Sequence, residues 1–158
     1  NGQEASAAIT DDDAWHHYVV TWNGQDGTGN AAQPVIYEDG AAVTTAVGNF
    51  GKAADKDFVF DTIGAVNNTG NGEHEFKGLL YQLAFWNVTL DADAVAAVYN
   101  SGDPMPVELD SGNYDNASSL VHLYKFNEGS GTTTKDSVEG GVNGTLKENA
   151  TFSATTPE

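Results

Sequence analysis

The chain has 158 residues, 39% hydrophobic and 10% aromatic, with 18 glycines and no cysteine; that suffices for one domain with its own core and leaves no disulfide or thiolate metal site. Its 23 acidic and 6 basic side chains give a net charge of −17, which repels phosphate and so argues against nucleic acid and anionic membrane as partners while favouring cations. No apolar run approaches the roughly 18 to 20 residues of a membrane span, and a start at Asn1 without methionine points to a processed or partial chain.

In chain order, residues 5–10 offer one short strand before the acidic turn Asp11-Asp12-Asp13. Residues 15–23 alternate, with His17, Val19 and Thr21 on one face and Tyr18, Val20 and Trp22 on the other. A Gly-, Asn- and Asp-rich loop over residues 24–33 leads to a short strand at 34–37. The hairpin signal Asp39-Gly40 closes that strand, and residues 43–47 are its expected antiparallel partner. Phe58, Phe60 and Thr62 alternate with Val59, Asp61 and Ile63 as a further strand, and residues 67–72 are a loop by composition.

Residues 76–100 join two periods across one boundary. Up to Trp86, Leu79, Tyr81, Leu83 and Phe85 share one side of a pleat, and Phe76, Gly78, Leu80, Gln82, Ala84 and Trp86 the other. Both sides are largely apolar, so this strand predicts cover on both faces in a two-layer structure. The period then changes: Asp91 can cap the amides of Asp93 and Ala94, and Leu90, Ala94, Val95, Val98 and Tyr99 recur at helical spacing until Asn100-Ser101-Gly102. A helix that short cannot stand alone and must lie on a sheet. Pro104 and Pro106 keep residues 104–117 irregular. Leu120, His122, Tyr124 and Phe126 then alternate with Val121, Leu123 and Lys125 as a strand, followed by a turn at 129–132. Residues 144–146 are the last strand candidate, with Thr151-Phe152 beyond. Strands at short, regular spacing predict an all-β antiparallel sandwich.

Several of these runs fit one ordered pattern. Trp15-His16-His17-Tyr18-Val19-Val20-Thr21-Trp22 matches W-H-H-x-x-x-T-[YW], Val35-Ile36-Tyr37-Glu38-Asp39-Gly40 matches an L-Y-V-D-G hairpin, and Ile63-Gly64 matches I-G. Phe76-x-Gly78 through Leu90 to Ala97-Tyr99-Asn100 matches F-x-G-x-I-D-E-V-R-I-[YW]-N-x-x-L-[ST]-x-x-E-I-x-x-L-Y-N. Over residues 15–100 the chain thereby resembles the LamG-like domains of the concanavalin A-like jelly-roll superfamily. The resemblance implies an antiparallel two-sheet jelly-roll sandwich with one short surface helix near residues 91–100. The chain departs from the pattern twice. The family's acidic pair on the central strand is Tyr81-Gln82 here. Residues 120–132, with Lys135-Asp136-Ser137 and Asn143-Gly144-Thr145-Leu146, resemble the opening of such a domain, L-x-x-Y-W-x-F-x-E-G-S-G-T, yet stand at its end. The division that follows is a LamG-like sandwich over residues 1–117, lacking some N-terminal strands, and a C-terminal strand extension over 118–158 packed on the same sandwich or a neighbouring subunit. A permuted sandwich, a piece of a longer chain and an extension serving the next repeat or subunit all accommodate that order; a fragment of a larger extracellular or virion protein is preferred.

Glucanases share the implied fold, with E-x-D-x-x-E on one strand, because retaining hydrolysis needs an acid and a nucleophile about 5 Å apart. Glu108-Leu109-Asp110-Ser111-Gly112-Asn113 approaches that signature, but Asn113 replaces the third acid in a Pro/Gly-rich loop. Glu73-His74-Glu75 reads as solvated charge. The expectation is therefore a non-catalytic chain, with glycoside hydrolase the third alternative. LamG-like domains often hold one Ca²⁺ at the rim, and the resemblance makes Asp11, Asp13, Asp39, Asp61 and Asp136 its candidate ligands, each of which taken alone better suits a turn or cap. Beyond calcium no cofactor is implied. Trp15, Trp22, Trp86, Tyr81 and Tyr124 could stack on sugars, but apolar neighbours favour core packing, and His16-His17 on alternate faces cannot chelate one ion. Asn67, Asn87, Asn116, Asn143 and Asn149 head N-x-S/T sequons. The resulting reading is a binding or adhesion module on an extracellular or virion surface, without membrane insertion. It would engage glycan or a surface protein through rim loops at residues 24–33, 67–74 and 103–117. The alternative is a structural or decoration subunit packing on copies of itself or within a larger parent assembly.

Overall fold

The computed structural model describes residues 5–10, 12–22, 34–43, 45–47, 62–65 and 76–157. These are organised mainly as short strands with one α-helix. The strands pair antiparallel in small sheets with open edges.

The hairpin is built as its sequence demands. Strands β2 (Tyr18–Thr21) and β3 (Val35–Glu38) pair with Val19 opposite Tyr37 and Val20 opposite Ile36. Asp39 at φ 51° and Gly40 at φ 76° are two consecutive left-handed residues, the geometry of a primed two-residue turn that matches strand twist. A Cβ on Gly40 would stand 3.0 Å from the Tyr99 ring, so this glycine also lets the helix approach the turn. The partner of β3 is Ala41–Ala42 (β4), not residues 43–47, because a two-residue turn returns the chain to pairing at once. Val43 still donates its amide to Ile36 O at 2.9 Å. Thr45–Val47 (β5) pairs instead with Ala5–Ala7 (β1). Residues 58–61 of the expected further strand lie outside the described residues, and Thr62 and Ile63 are not in a strand.

The long central strand is shorter than its pattern predicts. Only Leu83–Trp86 (β6) is a strand, because Gln82 takes a left-handed φ of 54° that a ladder cannot continue through. Before it, Phe76, Leu79 and Leu80 are 48–55% exposed, so cover on both faces does not extend to residues 76–80. The helix α1 (Ala92–Tyr99) forms where its caps place it. Asp91 accepts from the Ala94 amide at 2.8 Å, and Asn100, left-handed at φ 48°, returns its amide to Ala96 O. Strand β7 (Leu120–Tyr124) lies antiparallel on β6, with Leu123 opposite Ala84 and a register shift between Phe85 and Trp86. Thr133–Thr134 (β8) pairs with Gly144–Thr145 (β9); residues 151–152 are not in a strand.

One core joins these pieces. Leu90, Ala94, Val95 and Val98 from the helix segment meet Tyr37 of β3 and Leu123 of β7. The connection over residues 103–117 supplies Met105, Val107 and Tyr114 to the same cluster. Tyr114 is fully buried, and its hydroxyl accepts from Trp86 Nε1 at 2.8 Å and donates to Val107 O at 2.7 Å. An irregular loop is thus tied down by a two-bond bridge through the core.

Candidate ligand cleft

After Tyr124 the chain leaves β6 and doubles back. Phe126 is left-handed at φ 53°, as are Gly129 and Gly131 at 72° and 96°. Two carboxylates hold the return. Glu128 Oε1 accepts from Thr134 Oγ1 at 3.0 Å and from the Lys135 amide at 2.7 Å. Asp136, its side chain entirely buried, accepts the Leu123 and Val138 amides on Oδ1, both at 3.0 Å, and meets His122 Nδ1 with Oδ2 at 2.6 Å. Between them opens a cleft of about 610 Å³ lined by Lys125, Asn127, Glu128, residues 130–133, Lys135 and Ser137. Its volume falls in the usual range for small-molecule sites.

The charges in this cleft are unevenly committed. Lys125 Nζ pairs with Glu108 Oε1 at 2.5 Å, whereas Lys135 forms no ion pair among the described residues. Glu128 Oε2 is buried without a hydrogen-bond partner. Burial alone would raise the pKa values of Glu108 and Glu128, but Lys125 beside the first, and the Lys135 amide and Thr134 hydroxyl beside the second, hold both below the usual range. The amides of Gly129, Ser130, Gly131 and Thr132 donate no hydrogen bond to the described residues.

A second titratable cluster sits at the hairpin. His16 Nδ1 meets Asp39 Oδ2 at 2.8 Å and its Nε2 meets Asp12 Oδ1 at 3.0 Å, while Asp39 Oδ1 takes the His17 amide at 2.9 Å. The Asp12 carboxylate, then that of Asp39, raises His16 to about 9. Burial lowers His17, whose ring stacks on Tyr99 at 6.0 Å.

The calcium candidates are scattered. Asp11 and Asp61 lie outside the described residues. Asp13 stands in an exposed turn, and Asp39 and Asp136 give both carboxylate oxygens to histidines and amides. Among the described residues no group of three or more His, Asp or Glu could hold a metal ion. Of the rim loops, residues 24–33 and 67–74 lie outside the described residues, as does Glu73-His74-Glu75. Residues 103–117 are mostly exposed, anchored to the core by the buried Met105, Val107 and Tyr114. Among the aromatics, Trp86 and Tyr124 face neighbours within the fold, Trp15 meets Tyr81 edge-on at 6.4 Å, and Trp22 is partly exposed.

A laminin-G family model, described as the concanavalin A-like lectin/glucanases superfamily, matches residues 2–96. The chain belongs to this LamG-like family. No curated protein and no solved structure matches it. The LamG-like match covers the hairpin and most of α1 but ends before the cleft, whose every residue comes after position 124. Sequence reasoning missed the cleft because its cue was a turn, Gly129-Ser130-Gly131-Thr132, that reads equally well as a connection. Among the described residues no helix is long and apolar enough to cross a membrane.

Proposed function

We propose that this LamG-like chain is a non-catalytic binding module of an extracellular or virion surface that meets glycan or a surface protein. The observation that carries the reading is the open cleft of about 610 Å³, whose hydroxyls, side-chain amide and ammonium are presented outward. Family membership supports a binding role without naming a ligand. A two-sheet jelly-roll is the architecture this proposal assumes, with residues 118–158 in the same folding unit as 1–117; the β6–β7 ladder and the burial of Leu123 support that.

Carboxyl chemistry supports the non-catalytic part. A retaining glycosidase keeps one acid protonated by raising its pKa. Glu38, Asp39, Glu108, Glu128 and Asp136 are all held below their ordinary values instead. A glycan and surface-protein array tests the proposal: the expected result is selective binding without reducing-sugar release, and a blank array would reject it.

One observation favours the structural-subunit reading. Tyr18 and Val20 stand exposed along one face of β2, Val20 at 66%, with Trp22 exposed just beyond the strand and Ile36 across the ladder. An apolar sheet face of that kind suits packing on another copy. Concentration-dependent sedimentation that Val20→Glu abolishes, beside a blank array, would select this reading.

A further inference from the structure

We infer that the outer edge of β2 (Tyr18–Thr21) is an interface that pairs antiparallel with β2 of a second copy of this chain, closing a two-fold dimer about Val19. This deepens the structural-subunit reading and rests on it.

The backbone decides which groups are on offer. The His17 carbonyl accepts from the Asp39 amide at 2.9 Å, and bonded pairs alternate along an antiparallel ladder, so Val19 and Thr21 turn their amides and carbonyls toward β3. Tyr18 and Val20 turn theirs the other way, because β2 is an outer strand of the sheet β2–β3–β4. Among the described residues those outward groups meet no partner. The open edge ends at Trp22, whose carbonyl accepts from Thr89 Oγ1 at 3.2 Å.

A second copy fits this edge without help from any other sequence. With Val19 opposite the partner's Val19, Tyr18 falls opposite the partner's Val20 and exchanges both backbone bonds with it, and the two-fold axis repeats the exchange. The same register sets the exposed Tyr18 ring beside the partner's Val20, and an aromatic facing a β-branched residue is a favourable cross-strand pair. Charge argues likewise. Edges that stay single are guarded by lysine, proline or inward-pointing charge, and Tyr18-Val19-Val20-Thr21 carries none of these. In a chain of net charge −17, a neutral strand is where two like-charged copies meet with least repulsion. Pairing an edge with itself consumes it, so assembly closes at two copies.

The test combines amide hydrogen exchange and sedimentation of the full chain between about 20 µM and about 1 mM, a span that covers a weak interface. The Val19 and Thr21 amides, bonded to β3, should exchange slowly throughout. Those of Tyr18 and Val20 should exchange freely when dilute and slow by about tenfold or more when concentrated, as the chain becomes a dimer and nothing larger. Added salt should strengthen the dimer by screening the repulsion. Val20→Pro removes the outward amide, a change that edge strands tolerate, and should leave a monomer; Val20→Thr keeps the amide and should still dimerise. If Val20→Pro does not fold, the exchange of Tyr18 and Val20 in the unmodified chain decides alone. Dimerisation unchanged in a folded Val20→Pro, or a dimer in which the Tyr18 and Val20 amides still exchange freely, would overturn the edge pairing while leaving packing on another copy standing. A monomer at every concentration would overturn both.

Discussion

Asp39 and Asp136 each give one carboxylate oxygen to a backbone amide, that of His17 or Leu123, and the other to Nδ1 of the preceding histidine, His16 or His122. In both cases the aspartate pins a histidine and a strand at once. The pH consequence is clearest at the hairpin. His16 rises from 6.5 to about 9 on folding, so the folded state holds its proton longer. Its contribution is complete below about pH 6.5 and disappears as pH climbs through about 9. His17 works in the opposite sense: burial lowers it, so stability present above 6.5 is lost as pH falls below that value. The thermal midpoint should therefore decline on both sides of about pH 6.5. His16→Gln should flatten the alkaline limb; a curve parallel to the unmodified protein's would refute the assignment. At Tyr114, removing the hydroxyl orphans Trp86 Nε1 and Val107 O together. Tyr114→Phe should lower stability by about 2 kcal/mol or more, a fall of roughly 4–8 °C in Tm by calorimetry.

At the scale of elements, α1 depends on its ends. Eight residues give too few internal bonds to persist alone, and the helix persists because Ala94, Val95 and Val98 are buried against β3, β7 and the 103–117 connection. The Asp91 cap satisfies an amide that the helix cannot satisfy itself. Asp91→Ala should cost about 1 kcal/mol, or about 2–4 °C in Tm, with the fold retained; an unchanged midpoint would show that water replaces the cap without loss. The connection itself behaves as a core element despite its prolines, since Ser111 and Tyr114 exchange backbone bonds at 2.8 and 3.0 Å across left-handed Gly112. That short turn aims the Tyr114 ring inward and anchors the loop to the core.

For the whole molecule the dominant long-range term is self-repulsion among its carboxylates. Ca²⁺ and Mg²⁺ at equal millimolar concentration should raise Tm alike, by screening, since among the described residues no group of three or more His, Asp or Glu could hold a metal ion. A rise specific to Ca²⁺ and reversed by EDTA would instead place a site that includes Asp11 or Asp61. The sequence by itself determined the features whose physics is closed within a few residues. Asp39-Gly40 needs only its own backbone to make the primed turn, Asp91 only the amide three residues on, and the alternation of Val19 and Val20 only the pleat. Tertiary structure decided what depends on groups far apart in the chain. The pairing of His16 with Asp39 spans 23 residues, and the Trp86–Tyr114 bridge spans 28. The left-handed Gln82 that cuts the central strand short breaks an alternation its own sequence continues. The cleft, too, exists only because β7 is held on β6 while Glu128 and Asp136 fold the following loop back. Distant carboxylates and amides meet by folding geometry, and no local pattern of residues records which of them will.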